Sequence, residues 1–237
     1  MTLDIHVPAG STGHGPLTVD IGADDAGWTY CGLRVAVLGA GESLTLSTGD
    51  YELLVLPLAG AATVETGGRT HRLAGRRGVF EEVTDFLYAP RRTDLTLASE
   101  AGGRFALPAA IAERDLPVRR LGRDRVRTDL RGAGDCSRQV NNYALNNGVE
   151  TSHLLCCEVL TPGGNWSSYP AHKHDRRGAD ERELEEIYYF EIAPSPAGGP
   201  GFGLHRTYAS DPDRPIDLCT EVRDGDVALV PHGYHQY

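Results

Sequence analysis

The chain has 237 residues, with 23 Lys and Arg against 33 Asp and Glu and a formal net charge of −10. This length suits one large domain or two of about 100 to 120 residues, each with a sizeable core. The acidic balance argues against nucleic acid as a partner, because nucleic-acid-binding proteins usually carry a basic patch. No run approaches the ~18 apolar residues of a membrane span, and the first residues do not resemble a signal peptide. We therefore expect no membrane partner and a cytoplasmic location.

Short β-type runs bounded by turn residues recur along the whole chain, whereas helical periodicity is scarce. Together with 29 Gly and 14 Pro, this pattern predicts an all-β sandwich or barrel. The strands predicted in the first half are Leu17–Ile21, Leu33–Leu38, Ser43–Leu46, Glu52–Leu58, Ala61–Thr66, Arg69–Leu73, Leu87–Ala89 and Leu95–Leu97. Those predicted in the second half are Ser137–Tyr143, His153–Leu160, Trp166–His174, Glu186–Ile192, Gly203–Ser210 and Asp226–Pro231. Two short helices are predicted, at Pro108–Glu113 and Ala179–Leu184.

The composition changes over Leu107–Arg131, which is rich in Arg, Asp and Pro and poor in apolar clusters. We interpret this stretch as the connection between two halves. The sequence thus predicts an N-terminal domain at residues 1–112, a connecting segment at 113–135 and a C-terminal domain at 136–237. The halves also echo each other loosely, since each has a Gly-containing turn, a Glu before an apolar or aromatic strand, and a later proline, Pro90 or Pro231.

The strongest chemical signal is the pair His172 and His174. In an extended chain residues i and i+2 share a face, so both imidazoles can reach one point. Imidazole nitrogen and carboxylate oxygen bind zinc, manganese, iron and nickel at about 2.0–2.2 Å. Glu186 opens the next aromatic run, and His235 follows the turn at Pro231–Gly233. We therefore predict a site of three imidazoles and one carboxylate; solvent-exposed histidines on a charged loop are the alternative.

Two choices within this site stay open. Glu183 and Glu185 also precede the aromatic run, and we choose Glu186 because it lies immediately before it. His232 sits inside the turn, whereas His235 lies just past it. A side chain just past a turn can re-enter a barrel, so His235 is the preferred ligand and His232 the alternative.

Neighbouring residues carry weaker signals. Trp166 and Tyr169 flank the histidine pair and are candidates to line a substrate pocket, although such aromatic residues equally serve packing. Lys173 should point away from the site in a regular strand, so we give it no catalytic role. The remaining histidines, His205 among them, have no clustered partners and are assigned no site. The chain has no motif of serine hydrolases or nucleotide-binding proteins.

The segment from Gly164 through His172 and His174 to Glu186, followed by Gly225 and PHGYH at residues 231–235, resembles the two cupin motifs. More specifically, TPGGNWSSYPAHKHD, LEEIYYF and VPHGYH are similar to the 5-deoxy-glucuronate isomerase family of myo-inositol catabolism. These are bicupin enzymes related to the uronate isomerase of the pectin pathway. GDCSRQV and VFEEVTDFLYAP are similar to that family too, so the resemblance covers most of the chain.

The resemblance implies an all-β bicupin, with two cupin-type barrels in one chain. One divalent metal ion, zinc or manganese, would be held by the ligand set His172, His174, Glu186 and His235. The N-terminal barrel would lack metal ligands and keep only Glu52. Because relatives continue with a further strand, the resemblance implies a C-terminal barrel cut short at Tyr237, with an unpaired edge beside the metal.

The implied activity is the aldose–ketose isomerisation of 5-deoxy-glucuronate, a small sugar acid, to 5-dehydro-2-deoxygluconate. A metal ion would polarise the carbonyl, and a base would move the proton between carbons 1 and 2. Glu185, Tyr188 or a metal-bound water are the candidates for this base. Arg138 or Arg176 would bind the substrate carboxylate.

Two other functions are alternatives to the isomerase. A metal-dependent cupin dioxygenase would use the same ligands with iron. A sugar-binding or regulatory cupin would hold a ligand without turnover, although no DNA-binding helix-turn-helix pattern is visible in the sequence. Homo-oligomer formation is compatible with all three functions.

Overall fold

The structure, a computed structural model, describes residues 4–237. Within this range the protein is nearly all β, with eighteen strands, one helix of four residues and two short 3-10 turns. The prediction of an all-β protein is confirmed.

The first half of the chain forms ten strands and the helix. They are β1 (His6–Val7), β2 (Leu17–Ile21), α1 (Ala23–Ala26), β3 (Cys31–Leu38), β4 (Glu42–Ser47), β5 (Tyr51–Thr66), β6 (Arg69–Arg76), β7 (Phe86–Ala89), β8 (Asp94–Ser99), β9 (Gly103–Ile111) and β10 (Arg119–Leu121). We call β2–β10 the N-terminal unit. Its sheet has the order β10-β7-β5-β9-β3-β2, and the long strand β5 continues past it to pair with β6 and β8. The sheet thereby curls around an apolar interior.

The second half forms eight shorter strands. They are β11 (Arg127–Arg131), β12 (Arg138–Ala144), β13 (Cys156–Leu160), β14 (Glu186–Tyr189), β15 (Gly203–Tyr208), β16 (Asp217–Val222), β17 (Val227–Val230) and β18 (Tyr234–Gln236). We call β11–β18 the C-terminal unit. Its strands make three small sheets with the orders β11-β12-β13, β16-β15-β18 and β1-β17-β14. The first strand of the chain therefore joins the C-terminal unit.

A shared apolar core joins the two units. Buried residues from both combine in one cluster that includes Leu33, Leu54, Phe86, Tyr88, Tyr143, Leu154 and Leu229. Beside this cluster the fully buried side chain of Arg76 donates hydrogen bonds to both carboxylate oxygens of Glu158. Removing one partner of a buried ion pair leaves an uncompensated charge, which is strongly destabilising. The two units are thus packed through apolar and ionic contacts.

Both helix predictions are wrong. Most of the stretch Pro108–Glu113 lies in β9, which is hydrogen-bonded to β3 on one side and to β5 on the other. Its alanines favour a helix in isolation, but strand pairing and burial override this weak propensity. The stretch Ala179–Leu184 contains bends and irregular chain with no helix.

Other predicted boundaries shift for similar reasons. The two strands predicted at Glu52–Leu58 and Ala61–Thr66 are one strand, β5. The predicted strand Trp166–His174 is not a regular strand: His172 forms an isolated bridge with His235, and Ser167 exchanges backbone hydrogen bonds with Tyr237. The predicted connection contains β10, which pairs with β7, and the whole of β11, which pairs with β12. The domain limits 1–112, 113–135 and 136–237 stay a prediction.

Candidate metal centre

Four side chains of the C-terminal unit converge on one point: His172, His174, Glu186 and His235. One nitrogen or oxygen atom from each lies within 4.8 Å of the corresponding atoms of the others. Glu186 Oε2 is 2.8 Å from His174 Nε2 and 3.1 Å from His235 Nε2. The structure therefore brings together all four residues that the sequence singled out as metal ligands, while His232 lies outside the cluster.

Three separate segments deliver these side chains. His235 lies in β18, and its backbone exchanges two hydrogen bonds with that of His172, at 2.9 and 3.3 Å. Glu186 is the first residue of β14, opposite Val230 of β17. His235 is fully buried whereas His172 is exposed. Solvent, and hence a ligand, reaches the cluster from the His172 side.

The turn before His235 requires glycine. Gly233 has φ +91°, and a Cβ there would lie 2.5 Å from the carbonyl oxygen of Tyr208. The Gly233 N–H donates to Asp175 Oδ2 at 2.9 Å, and the Ser210 hydroxyl donates to the same oxygen at 2.5 Å. Asp175 directly follows His174, so this buried carboxylate links two ligand segments. The sequence analysis missed Asp175, whose only signal was its position beside His174.

The hydrogen bonds of His174 determine which of its nitrogens faces the cluster. Its Nδ1 lies 3.1 Å from the carbonyl oxygen of Leu184, so Nδ1–H donates and Nε2 points to Glu186. Such a bond from the outer nitrogen orients a metal-binding imidazole. Burial alone would lower the pKa of His174, but the hydrogen bond with the Glu186 carboxylate outweighs it and raises this pKa.

The protonation of the other ligands suits a cation. Burial and the neighbouring imidazole of His235 lower the pKa of His172 to about 4, so it is neutral near pH 7. Burial opposes ionisation of Glu186, but the imidazoles of His174 and His235 outweigh it and hold its pKa well below the usual range. Neutral imidazoles and an ionised carboxylate are the forms that bind metals.

His235 provides a direct test of whether a metal ion fits. Its Nε2 is buried and has no aligned hydrogen-bond partner, although Glu186 Oε2 is close. A buried polar atom without a partner costs roughly 1–3 kcal/mol, and a bound cation would remove that cost. Ligand distances of about 2.0–2.2 Å place opposite donors about 4.0–4.4 Å apart. The donor atoms lie within 4.8 Å of one another, a span close to this separation, so the residues fit a divalent ion.

An aromatic wall borders the cluster. The ring of Tyr188 lies 6.0 Å from that of His235 and 4.9 Å from that of Tyr237, measured between centroids. Burial and the Glu186 carboxylate raise the pKa of Tyr188 well above its ordinary value. Tyr188 is therefore a neutral phenol that can donate a hydrogen bond.

A fourth histidine, His205, lies behind this wall. It is fully buried, and its Nε2 is 2.9 Å from the Thr207 hydroxyl oxygen. Thr207 is paired with His235 across β15 and β18. Burial and the imidazole of His235 lower the pKa of His205 to about 4. Alternation in β15 places His205 and Thr207 on one face, a signal that the sequence analysis did not use.

Glu185 is not at the cluster. Its carboxylate accepts hydrogen bonds of 2.7–2.9 Å from the backbone N–H groups of Thr29, Tyr30 and Cys31 in the N-terminal unit. Successive residues of a strand face opposite sides, so Glu185 points away from the side that Glu186 faces. The prediction that Glu185 is the base is therefore corrected. Both of its carboxylate oxygens take part in the contact between the units.

The predicted substrate-binding residues lie in different surroundings. The charge of Arg138 is close enough to help lower the pKa of both His172 and Tyr237, so Arg138 lies beside the cluster. Arg176 is exposed and forms an ion pair of 2.6 Å with Asp211. Of these two residues, Arg138 is the one whose charge acts on the candidate ligand His172, and a role for either in substrate binding stays a prediction.

The two candidate aromatic residues lie at the surface. Trp166 is 39% exposed and Tyr169 is 55% exposed. Their ring centroids are 6.4 Å apart. Both are outside the cluster itself, and their role in lining a substrate pocket stays a prediction.

The strand register shows which residue of the N-terminal unit corresponds to Glu186. In each unit two strands are paired, and the later strand of the pair ends one residue before a proline. Leu53 pairs with Ala89, which precedes the proline of the N-terminal unit. Glu186 pairs with Val230, which precedes the proline of the C-terminal unit. An apolar residue thus occupies the position of the carboxylate.

By the same register Glu52 corresponds to Glu185. The buried carboxylate of Glu52 accepts hydrogen bonds from the N–H groups of Ser152–Leu154 at 2.6–2.7 Å and from the Tyr88 hydroxyl at 2.7 Å. The expectation that Glu52 is the remnant of a metal ligand is therefore corrected. It binds the C-terminal unit.

Comparisons with known proteins agree with this fold and site. Residues 5–237 match the KduI/IolB family. A protein named 5-deoxy-glucuronate isomerase from Geobacillus kaustophilus is 36% identical over 232 residues, which is 97% of this chain and 82% of that protein. The protein of that name from Bacillus subtilis strain 168 is 32% identical over 222 residues, covering 92% and 80%.

Solved structures agree as well. The crystal structure of an IolB-like protein from Salmonella typhimurium LT2 has a TM-score of 0.89 and 33% identity, covering 99% of this chain and 87% of that one. A Bacillus subtilis oxalate decarboxylase has a TM-score of 0.63 at 12% identity, covering 100% and 73%, and shares the fold alone. Among residues 4–237 no helix is both long and apolar enough to span a membrane. The predicted cupin fold and the predicted resemblance are confirmed, and the chain belongs to the KduI/IolB family.

Proposed function

We propose that this protein is a metal-dependent aldose–ketose isomerase that converts 5-deoxy-glucuronate to 5-dehydro-2-deoxygluconate. Relatives of this name that align with most of the chain support the substrate and the reaction. The observation that carries the proposal is the convergence of three imidazoles and one carboxylate at one partly exposed point. This donor set suits an isomerase that acts on a carbonyl next to a hydroxyl group.

The ion would be held by His172, His174, Glu186 and His235. When bound, zinc or manganese supplies Lewis-acid polarisation of the substrate carbonyl and the adjacent hydroxyl. Both ions accept imidazole and carboxylate ligands, so elemental analysis of the purified protein decides between them.

The substrate carboxylate is assigned to Arg138. The charge of its guanidinium helps to lower the pKa of the exposed ligand His172, which supports a position near the cluster. A charge-assisted hydrogen bond between guanidinium and carboxylate fixes the orientation of the sugar acid. Trp166 and Tyr169 form the rim of this entrance. Arg176 is assigned to the surface ion pair with Asp211.

Tyr188 is assigned to proton handling at the substrate oxygen. Its raised pKa keeps the phenol protonated, so it donates a hydrogen bond to an oxygen that gains negative charge as the carbon-bound proton moves. Such a fixed donor in a site with little water stabilises the developing charge. Glu185 does not move the proton itself, because its carboxylate oxygens accept hydrogen bonds from the N-terminal unit.

The test is incubation of metal-loaded protein with 5-deoxy-glucuronate while NMR follows the appearance of a ketose. We expect conversion by the loaded protein, none after chelation and none by His172→Ala. His14→Ala removes an exposed histidine of the N-terminal unit and should retain full activity. Full activity of the metal-free protein would refute the metal dependence. Oxygen uptake with bound iron would favour a dioxygenase, and binding without turnover a non-catalytic cupin.

The wider biological setting stays a prediction. A role in myo-inositol catabolism, a cytoplasmic location and a homo-oligomer are expectations from the sequence and its resemblance, and the geometry of the cluster does not depend on them.

A further inference from the structure

Two carboxylates bind the opposite unit in the same way. Glu52 of the N-terminal unit accepts hydrogen bonds from three successive backbone N–H groups, Ser152–Leu154. Glu185 of the C-terminal unit accepts hydrogen bonds from three successive backbone N–H groups, Thr29–Cys31. In each contact the charge of one unit is neutralised in part by the aligned amide dipoles of the other.

The two contacts lie next to each other at the exposed edge of the interface. The central residues of the receiving segments, Tyr30 and His153, pack edge to face with ring centroids 4.9 Å apart. Each unit therefore contributes one glutamate and one set of three backbone N–H groups to the contact between the units. The contacts differ in the residue that follows each carboxylate along the chain, which is Leu53 in one unit and the candidate ligand Glu186 in the other.

The chain on both sides of Glu185 contacts His174. Leu184 donates its N–H to the carbonyl of His174 at 2.8 Å and accepts the His174 Nδ1–H at 3.1 Å. Glu186 approaches Nε2 of the same imidazole at 2.8 Å. Glu185 lies between them, and its carbonyl oxygen also accepts the Cys31 thiol at 3.2 Å. Fixing Glu185 thus fixes one ligand and the carbonyl that orients another.

We propose that Glu185 is a positioning residue of the metal centre, through which the N-terminal unit sets the geometry of Glu186 and His174. The proposal rests on the metal-binding part of the proposed function. It gives the N-terminal unit a task in the chemistry although its own interior is apolar. Loss of groups that orient metal ligands typically lowers metal affinity by roughly 10–100-fold.

Glu185→Gln tests this inference against Glu52→Gln as a matched control. Glutamine keeps the size of the side chain but replaces one acceptor oxygen with an NH₂ group that faces N–H donors. Glu52 is fully buried and contacts none of the four candidate ligands, so its loss should lower the melting temperature at least as much. Both proteins are loaded with Co²⁺ well below their melting temperatures, and its affinity is measured by chelator competition together with the visible spectrum of the bound ion.

We expect Glu185→Gln to bind Co²⁺ about 10–100-fold more weakly than the wild type, with an altered spectrum. Glu52→Gln should bind within about twofold of the wild type with an unchanged spectrum, because distant sites act independently. Cys31→Ala, which removes only the thiol donor, should show a smaller change in the same direction and replaces Glu185→Gln if that variant does not fold.

Three results would overturn the inference. Wild-type affinity and spectrum in Glu185→Gln would show that the contact does not position the ligands. Equal losses in Glu185→Gln and Glu52→Gln would show that both contacts act only on the fold. Absence of Co²⁺ binding by the wild type would instead remove the metal centre, and the proposed function with it.

Discussion

The two units share a strand framework but fill it differently. In the N-terminal unit Leu53 and Val55 belong to a large cluster of buried apolar residues. At the corresponding positions of β14 stand Glu186 and Tyr188, and three imidazoles join them. The apolar cluster left inside the C-terminal unit is small, with Phe190, Val222 and Ala228 as its buried members. The N-terminal unit thus fills with apolar side chains the positions at which the C-terminal unit carries candidate metal ligands, and one core joins the two units.

The largest predicted effect on metal binding and turnover comes from making the C-terminal unit resemble the N-terminal unit. Glu186→Leu inserts the residue found at the equivalent position and removes the only carboxylate of the cluster. We expect loss of bound metal and a fall in turnover of at least about 10⁴-fold, or ~5 kcal/mol of barrier, in a protein that still folds. Elemental analysis and NMR turnover measure this. Glu183→Leu, an exposed neighbour, is the control, and its inactivity would contradict the ligand assignment.

The reverse exchange should destabilise the protein. Leu53→Glu buries a carboxylate where the native side chain is fully buried among apolar residues, without the imidazoles that surround Glu186. An unpaired buried charge costs about 3–5 kcal/mol, a large part of a typical stability of about 5–15 kcal/mol. Urea denaturation measures the free energy of unfolding, with Leu53→Met as the control for shape. Stability equal to the wild type would show that water enters this interior.

Replacing the cation at the entrance should weaken substrate binding. Arg138→Ala removes the guanidinium beside His172, and we expect KM to rise about 10–100-fold, corresponding to the ~1.5–3 kcal/mol of a charge-assisted hydrogen bond, with a smaller change in kcat. Steady-state kinetics with 5-deoxy-glucuronate measure both constants. Arg176→Ala is the control, because that residue pairs with Asp211 at the surface. A larger effect of Arg176→Ala would reverse the assignment.

The smallest predicted effect is a pH dependence of metal binding. The pKa of His174 is raised above the ordinary 6.5, and this imidazole must lose its proton to bind a metal. Metal affinity should therefore fall about tenfold per pH unit once the pH drops below that raised value. His172, with a pKa of about 4, adds no competition between pH 5.5 and 8. Co²⁺ titrations over this range measure the slope, and a flat profile would contradict the prediction.

In the metal-free protein the raised pKa of His174 acts in the opposite direction, because a lower pH then stabilises the folded state. A raised pKa means that the protonated imidazole is stabilised in the folded state, next to Glu186. This contribution is fully present below the unfolded value of about 6.5 and is lost as the pH rises through the folded pKa. In the N-terminal unit Leu53 occupies the position of Glu186 and cannot form such a pair, so this part of the pH dependence belongs to the C-terminal unit.

Local patterns predicted most strands and the members of the cluster. The alternation of apolar and polar residues predicted β2 with the bounds that it has in the structure. The spacing of His172 and His174 predicted the site, even though their segment is not a regular strand. Such patterns depend on neighbours along the chain. They failed at Pro108, where an alanine-rich stretch with helical propensity is held as a strand by partners far away in sequence.

The roles of the two adjacent glutamates could not be separated from sequence. Glu185 and Glu186 both precede the aromatic run, and alternation assigns them only to opposite faces. What each face meets depends on the packing of two units, which brings Thr29–Cys31 to Glu185 across 154–156 residues of sequence. Asp175 and His205 were missed for the same reason, since their partners lie in other strands and turns.

The pairing of β1 with β17 has a consequence for how the chain folds. The His6 side chain contacts Asp226 across 220 residues of sequence, and β17 lies between β1 and the strand that carries Glu186. During synthesis the first strand is made early but must wait for almost the whole chain before its partner exists. Contacts of such long sequence separation form slowly. The half that carries the candidate metal centre is therefore expected to be completed late, when the two distant ends of the polypeptide come together.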